Sequence, residues 1–312
     1  MKNSTRLAML CAMLGNSIFG FSFMFSRLAL SVASPFVMLM YRFIFAFAGL
    51  NLVALWSVRC RKPGKASDET GIDYLRFSLS GRPLWPLLAL GVIQPVIYFL
   101  CESYGISLTN STFSGVIIAL VPIAALALGA LLLGEIPTRV QVFFSFLSIA
   151  GVVLMTLQQS AEGEIRPLGV LLLFGAVLSG VMFNILSRKT SKAYSALERT
   201  YVMMGVAAVI FTIMAACPCS KDLSLLFAPL SSGLFMGSMA YLSVLSSIVA
   251  FLALNYASNT LPVARTTAFC NLTTVISLFA GVVFLGEPFG VVSLLASVMI
   301  ILGIWGVQRE QK

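Results

Sequence analysis

The chain has no histidine, and charged side chains make up only 10% of its 312 residues, against roughly 25% in ordinary soluble domains. The missing histidine removes a His-based serine or cysteine triad, an HExxH zinc site and His-ligated haem together. No GxxxxGK[ST] stretch occurs, so ATP is not the direct energy source. The six cysteines are scattered, and Cys217-Pro-Cys219 is too tight for an easy disulfide; they read as soft apolar packing residues. Neither a metal nor an organic cofactor is expected. Acidic pairs are absent from the apolar runs, which leaves only an intramembrane enzyme working with Ser, Lys or a lone carboxylate as a catalytic alternative.

Apolar residues are what the chain does have, at 59%. A water-soluble fold of this size would lack the polar surface to cover itself. Runs long enough to cross roughly 30 Å of hydrocarbon, at about 1.5 Å per helical residue, recur throughout. Ten are read: 8–26, 35–57, 84–104, 112–133, 139–158, 167–187, 198–217, 232–256, 263–285 and 288–307. Gly286-Glu287-Pro288 must turn the chain between the last two, since a single helix there would be far too long. The first run is too long for a signal-peptide core and is read as a span. Residues 58–83 form the one long loop, a mixed-charge solvated linker.

An even number of spans puts both termini on one side. With the amino terminus inside, only Arg27, Arg166 and Lys221 fall outside and Arg42 within a span, so the other sixteen of the twenty basic residues are cytoplasmic. That asymmetry accounts for the net charge of +9. The basic balance therefore speaks of topology and anionic lipid rather than nucleic acid.

The text is also written twice. Leu-Gly-Glu ends two apolar runs, at Glu135 and Glu287, and at the same offset of 152 Tyr104 falls on Tyr256, Gly129 on Gly281 and Gly151 on Gly303. Five spans per half, an odd number, force the second copy to enter from the opposite face, giving inverted repeats. The halves are set at 1–160 and 161–312. The expected fold class is an all-α polytopic membrane protein with ten transmembrane helices in two inverted five-helix repeats. With this pseudo-symmetry built into one chain, a monomer is expected to function.

The stretch "GVIQPVIYFLCESYGISLTNSTFSGVIIALVPIAALALGALLLGEIPTRVQVFFSFLSIAGVVLM" resembles the EamA-type repeat of the drug/metabolite transporter superfamily, with Pro122 mid-helix and Leu-Gly-Glu after it. Arg42 in "SPFVMLMYRFIFAFAGL" matches the same pattern after a span-opening proline. The second copy is weaker, with Thr274 standing where the first has Pro122. The resemblance implies a secondary transporter, an exporter of amino acids or related amphipathic metabolites across a bacterial cytoplasmic membrane. A multidrug or nucleotide-type metabolite carrier is the alternative within that class. A passive channel is the alternative outside it.

Polar groups inside spans are costly and face the bundle interior, a partner helix or water. The candidates for substrate contact are Asn16, Ser17, Gln94, Tyr98, Glu102, Asn184, Tyr241, Ser246 and Asn271. The resemblance implies a central cavity among spans one, three, four, six, eight and nine, which carry them all. Gln94, Tyr98 and Glu102 step by four along one helical stripe. Glu102 is the one carboxylate within a span away from the Leu-Gly-Glu turns, a candidate proton acceptor or partner of a cationic amine. It lies about 27 Å along the helix from Leu84, which also fits the outer interface. An interhelical hydrogen bond is the competing reading for each amide.

Phe19 shares a helix face with Phe23 and Phe21 with Phe25, so one pair at most can line a cavity. Pro95 and Pro122 free carbonyls and suit gating helices. Glu135 and Glu287 are read as gate latches or packing groups rather than substrate contacts. Arg42 is read as structural, snorkelling to the headgroups or pairing with Glu102. Gly233 and Gly237 have the small-xxx-small spacing of close helix contact.

Overall fold

The computed structural model describes residues 2–59, 77, 81–133, 138–161, 165–191, 193–219, 224–260 and 269–309, and all regular structure among these is helical. The chain runs through α1 (Lys2–Leu30), α2 (Pro35–Arg59), α3 (Trp85–Gly91), a π-helical stretch Val92–Ile97, α4 (Tyr98–Leu108), α5 (Ser111–Ile118) and α6 (Val121–Leu133). There follow α7 (Arg139–Ala161), α8 (Pro167–Thr190), α9 (Ala196–Cys219) and the short α10 (Ser224–Phe227). Then come α11 (Gly233–Ala240), a second π-helical stretch Tyr241–Ala250, α12 (Phe251–Thr260), α13 (Cys270–Leu285) and α14 (Val291–Arg309).

Among the described residues six helical rods are long and apolar enough to cross a membrane: Thr5–Leu30, Pro35–Trp56, Trp85–Leu108, Pro167–Ser187, Ala196–Ala216 and Gly233–Ala257. Four shorter apolar helices accompany them, Ser111–Ala125, Arg139–Met155, Leu272–Leu285 and Val291–Gly306. Their outer faces carry bare Leu52, Phe146, Leu171 and Val291, each more than two-thirds exposed. Hydrocarbon, not water, is the solvent such a surface matches.

Prolines decide where the rods start and break. Pro35 and Pro167 open α2 and α8, where a missing N–H removes no helical bond. Pro95 pushes the preceding residue out of the helical region, and Gln94 accordingly sits at φ −143°, ψ 114°. Pro122 crowds the carbonyl four residues back, and α5 stops at that residue, Ile118. The span expected over 112–133 is therefore two helices joined by Ala119 and Leu120. Gly286, at φ 65°, turns the chain between α13 and α14, as the interruption there requires.

Tight crossings hold the rods together. A Cβ on Gly151 of α7 would meet the Ala296 carbonyl of α14 at 2.8 Å, and one on Gly303 of α14 would meet the Phe144 carbonyl of α7 at 2.6 Å. Ser148 donates to the Ile300 carbonyl across the same crossing. Each contact joins positions that the 152-residue offset exchanges or relates. Among the described residues no atom comes within 4 Å of a Cβ placed on Gly233 or Gly237, so that spacing marks no close backbone approach there. One apolar cluster gathers side chains of α2, α4, α9 and α11 with the second π-helical stretch, and another joins α5, α7 and α14.

Candidate functional site

The break at Gln94 builds the site. It lies midway along the Trp85–Leu108 rod and turns Gln94, Tyr98, Phe99 and Glu102 toward α1 and α8. Ser179 of α8 donates to the Ile93 carbonyl at 2.6 Å, satisfying an acceptor beside the break. The cavity is about 140 Å³. Asn16, Phe19, Ser22 and Phe23 of α1 form one wall, and Gly180, Phe183 and Asn184 of α8 another. Ile118, Ala119 and Val121 at the α5–α6 junction, Leu254 of α12 and Thr273 of α13 close it.

The stripe expected from sequence lies on this wall, and so does the Phe19/Phe23 pair. Glu102 is 5% exposed and faces the cavity, with the Tyr98 phenol as its hydrogen-bond partner. Gln94 is 7% exposed, and its Oε1 has no partner. Asn16 lines the cavity while its amide donates to the Ala12 carbonyl and accepts from Thr273 Oγ at 3.1 Å. Its interhelical bond is therefore made. Asn184 lines the cavity and is exposed.

Other expected positions lie elsewhere. Tyr241 is off the cavity, its ring stacked on Phe25 at 4.1 Å and its hydroxyl donating to the Ile18 carbonyl. Ser246 is off it as well, held by Arg42, and half-buried Ser17 is not on the wall. Glu135 and the side chain of Asn271 lie outside the described residues. Glu287 accepts from the Ser111 amide, the Ser111 hydroxyl and the Thr112 amide, each at 2.8 Å, and so caps α5. A carboxylate suits that position, where unpaired N–H groups and the positive end of the helix dipole meet.

Arg42 does not snorkel. It is fully buried, donating from Nε to Ser247 Oγ at 3.0 Å and from Nη2 to Ser246 Oγ at 2.9 Å, both on the second π-helical stretch. Its guanidinium lies 4.1 Å from the centre of the Phe99 ring, and Nη1 has no partner. Nor does it form an ion pair with Glu102; among the described residues Arg82 and Glu198 form one, at 2.6 Å. A second buried arginine, Arg199, was hidden by charge counting, which assigns it to a water-facing end. Arg199 gives Nη1 to the Ser187 carbonyl and hydroxyl and Nη2 to the Asn255 carbonyl. Phe99 and Phe183 were also missed, because one phenylalanine among many apolar neighbours carries no periodic contrast.

The EamA-like transporter family is matched over residues 6–157 and 167–309. An uncharacterized transporter of Bacillus subtilis (strain 168), YcxC, is 28% identical over 316 residues, covering 100% of this chain and 96% of that protein. A second from the same organism, YyaM, is 23% identical, with 94% and 90% covered. An uncharacterized transporter of Archaeoglobus fulgidus is 24% identical over 72% of this chain and 78% of its own length. A solved crystal structure superposes with a TM-score of 0.61 at 17% identity, covering both chains in full.

Proposed function

The chain belongs to the EamA-like transporter family and is a multi-pass membrane protein; from that premise we propose that it is a secondary transporter moving a small metabolite across the bacterial cytoplasmic membrane by alternating access. The carrying observation is the cavity, walled by α1, α4 and the α5–α6 junction from the first half and by α8, α12 and α13 from the second. A chamber bounded by both halves opens to one side or the other when the halves rock. At about 140 Å³ it is smaller than the roughly 300 Å³ at which drug-sized pockets begin, which favours a metabolite over a drug.

In this reading the six long rods and four shorter apolar helices make ten spans, with both termini cytoplasmic and the second half inverted. The exchanged contacts at the α7–α14 crossing support the twofold relation. So do the π-helical stretches, since Val92–Ile97 displaced by the repeat offset falls within Tyr241–Ala250. Export of an amino acid or related amphipathic compound rests on the family resemblance. Protons are the proposed coupling ion, with Glu102 as the carrier.

Purified protein in proteoliposomes loaded with an amino-acid mixture tests the function. Saturable counterflow of labelled amino acids is expected; conductance without saturation would mean a channel, and turnover of lipid an enzyme. Proton coupling is checked separately, by loss of pH-driven uptake in Glu102→Gln.

A further inference from the structure

We propose that the cavity accepts a small organic ammonium ion with an apolar, ring-sized body, its N–H donors on the Glu102 carboxylate and its body against Phe19, Phe23, Phe99 and Phe183. The inference deepens the transporter reading and rests on it for the cavity's role. Three observations carry it. Glu102 is the one ionisable acid on the wall, 5% exposed, and no Lys or Arg lines the cavity to neutralise it. Arg42 acts on it electrostatically but gives two nitrogens to Ser246 and Ser247 and makes no ion pair with it. A carboxylate taken out of water is costly without a partner, and a ligand cation supplies one.

The second observation is Gln94 Oε1, a buried acceptor on the same wall with no donor. Asn16, the other inner amide, is already satisfied by Ala12 and Thr273. The wall thus offers two acceptors to a ligand, the Glu102 carboxylate and Gln94 Oε1, which N–H groups match, whereas a carboxylate ligand would meet Glu102 as a like charge. The third is the aromatic lining, whose negative ring faces attract cations and whose area takes up an apolar body. One face of Phe99 already receives the Arg42 guanidinium outside the cavity, at 4.1 Å from the ring centre, so this ring accepts a cation in the same fold.

Full-length protein in detergent, titrated calorimetrically with 2-phenylethylammonium, 2-phenylethanol and 3-phenylpropanoate, tests this. Saturable binding of the ammonium, at least about tenfold tighter than the alcohol and the carboxylate, is expected. Glu102→Gln should erase that preference and Glu102→Asp should keep it, so a poorly folded amide variant leaves the test intact. Absent ammonium binding, equal binding of the alcohol, tighter binding of the carboxylate, or a preference that survives Glu102→Gln overturns the proposal. Ammonium binding without counterflow would overturn the transporter reading alone. Counterflow of a neutral or anionic solute, with no ammonium preference, would overturn this inference alone.

Discussion

Two arginines, Arg42 and Arg199, are fully buried in a molecule with few charges, yet they are dressed differently. Arg199, near the start of α9, is held by three main-chain carbonyls, those of Ser187, Ser195 and Asn255, and a hydroxyl, and its neighbour Asn255 donates to Thr200. Arg42 reaches only hydroxyls, lies on Phe99 and leaves Nη1 unmatched. Main-chain carbonyls are fixed with the helices that carry them, whereas a serine hydroxyl can rotate onto its own helix backbone. The contrast sets a cation gripped by fixed backbone beside one gripped only by rotatable hydroxyls some two hundred residues along the chain.

The largest effect should come at Arg199. Arg199→Ala removes a fully buried side chain together with its bonds to the Ser187, Ser195 and Asn255 carbonyls and the Ser187 hydroxyl, and a loss of about 3 kcal/mol is expected from those bonds and the cavity left behind. Thermal unfolding in detergent measures it; a variant as stable as the parent would remove the distinction. Arg42→Ala should cost about 1 kcal/mol or less of stability, since its partners have the hydroxyl fallback. Counterflow should nevertheless fall by about tenfold, within the usual range for coupling between linked sites. Arg42→Lys sharpens this, because an ammonium cannot copy the two-nitrogen grip on Ser246 and Ser247. Full transport with lysine would show that charge alone suffices.

The smallest effects are at the serines. Ser187→Ala removes an acceptor from Arg199 Nη1 but leaves the carbonyl at 3.0 Å, so about 0.5–1 kcal/mol is expected. Ser246→Ala should leave stability within about 0.5 kcal/mol while slowing counterflow, since Ser247 still holds one end of the guanidinium. If the two alanines act alike on both readouts, the arginines are doing the same job.

How much of this could be read from the letters depends on what each letter contrasts with. Helical periodicity gave Gln94, Tyr98 and Glu102 a shared wall because three polar groups stand out against an apolar run. The same spacing allows only one of the pairs Phe19/Phe23 and Phe21/Phe25 on a wall, and the structure places the first there. Tyr241 and Ser246 are candidates only as polar groups within a span, which carries no facing, and in the π-helical stretch that holds them both are off the cavity. Pro122 announced a disturbance in its span, but the stop at Ile118 depends on where the crowded carbonyl falls. Charge counting assigns Arg199 to a water-facing end, which hides its burial, and a lone Arg42 within a span gives no sign that hydroxyls of a distant helix, rather than headgroups or Glu102, receive it.

The α7–α14 crossing has a consequence for how such a chain could be divided. Its two faces fit one another through the same pair of small residues approached from either side. A seam of that kind needs no covalent tether to find its register. Two separately synthesised polypeptides, parted at the connection between α7 and α8, would still carry the matching surfaces through which to reassemble.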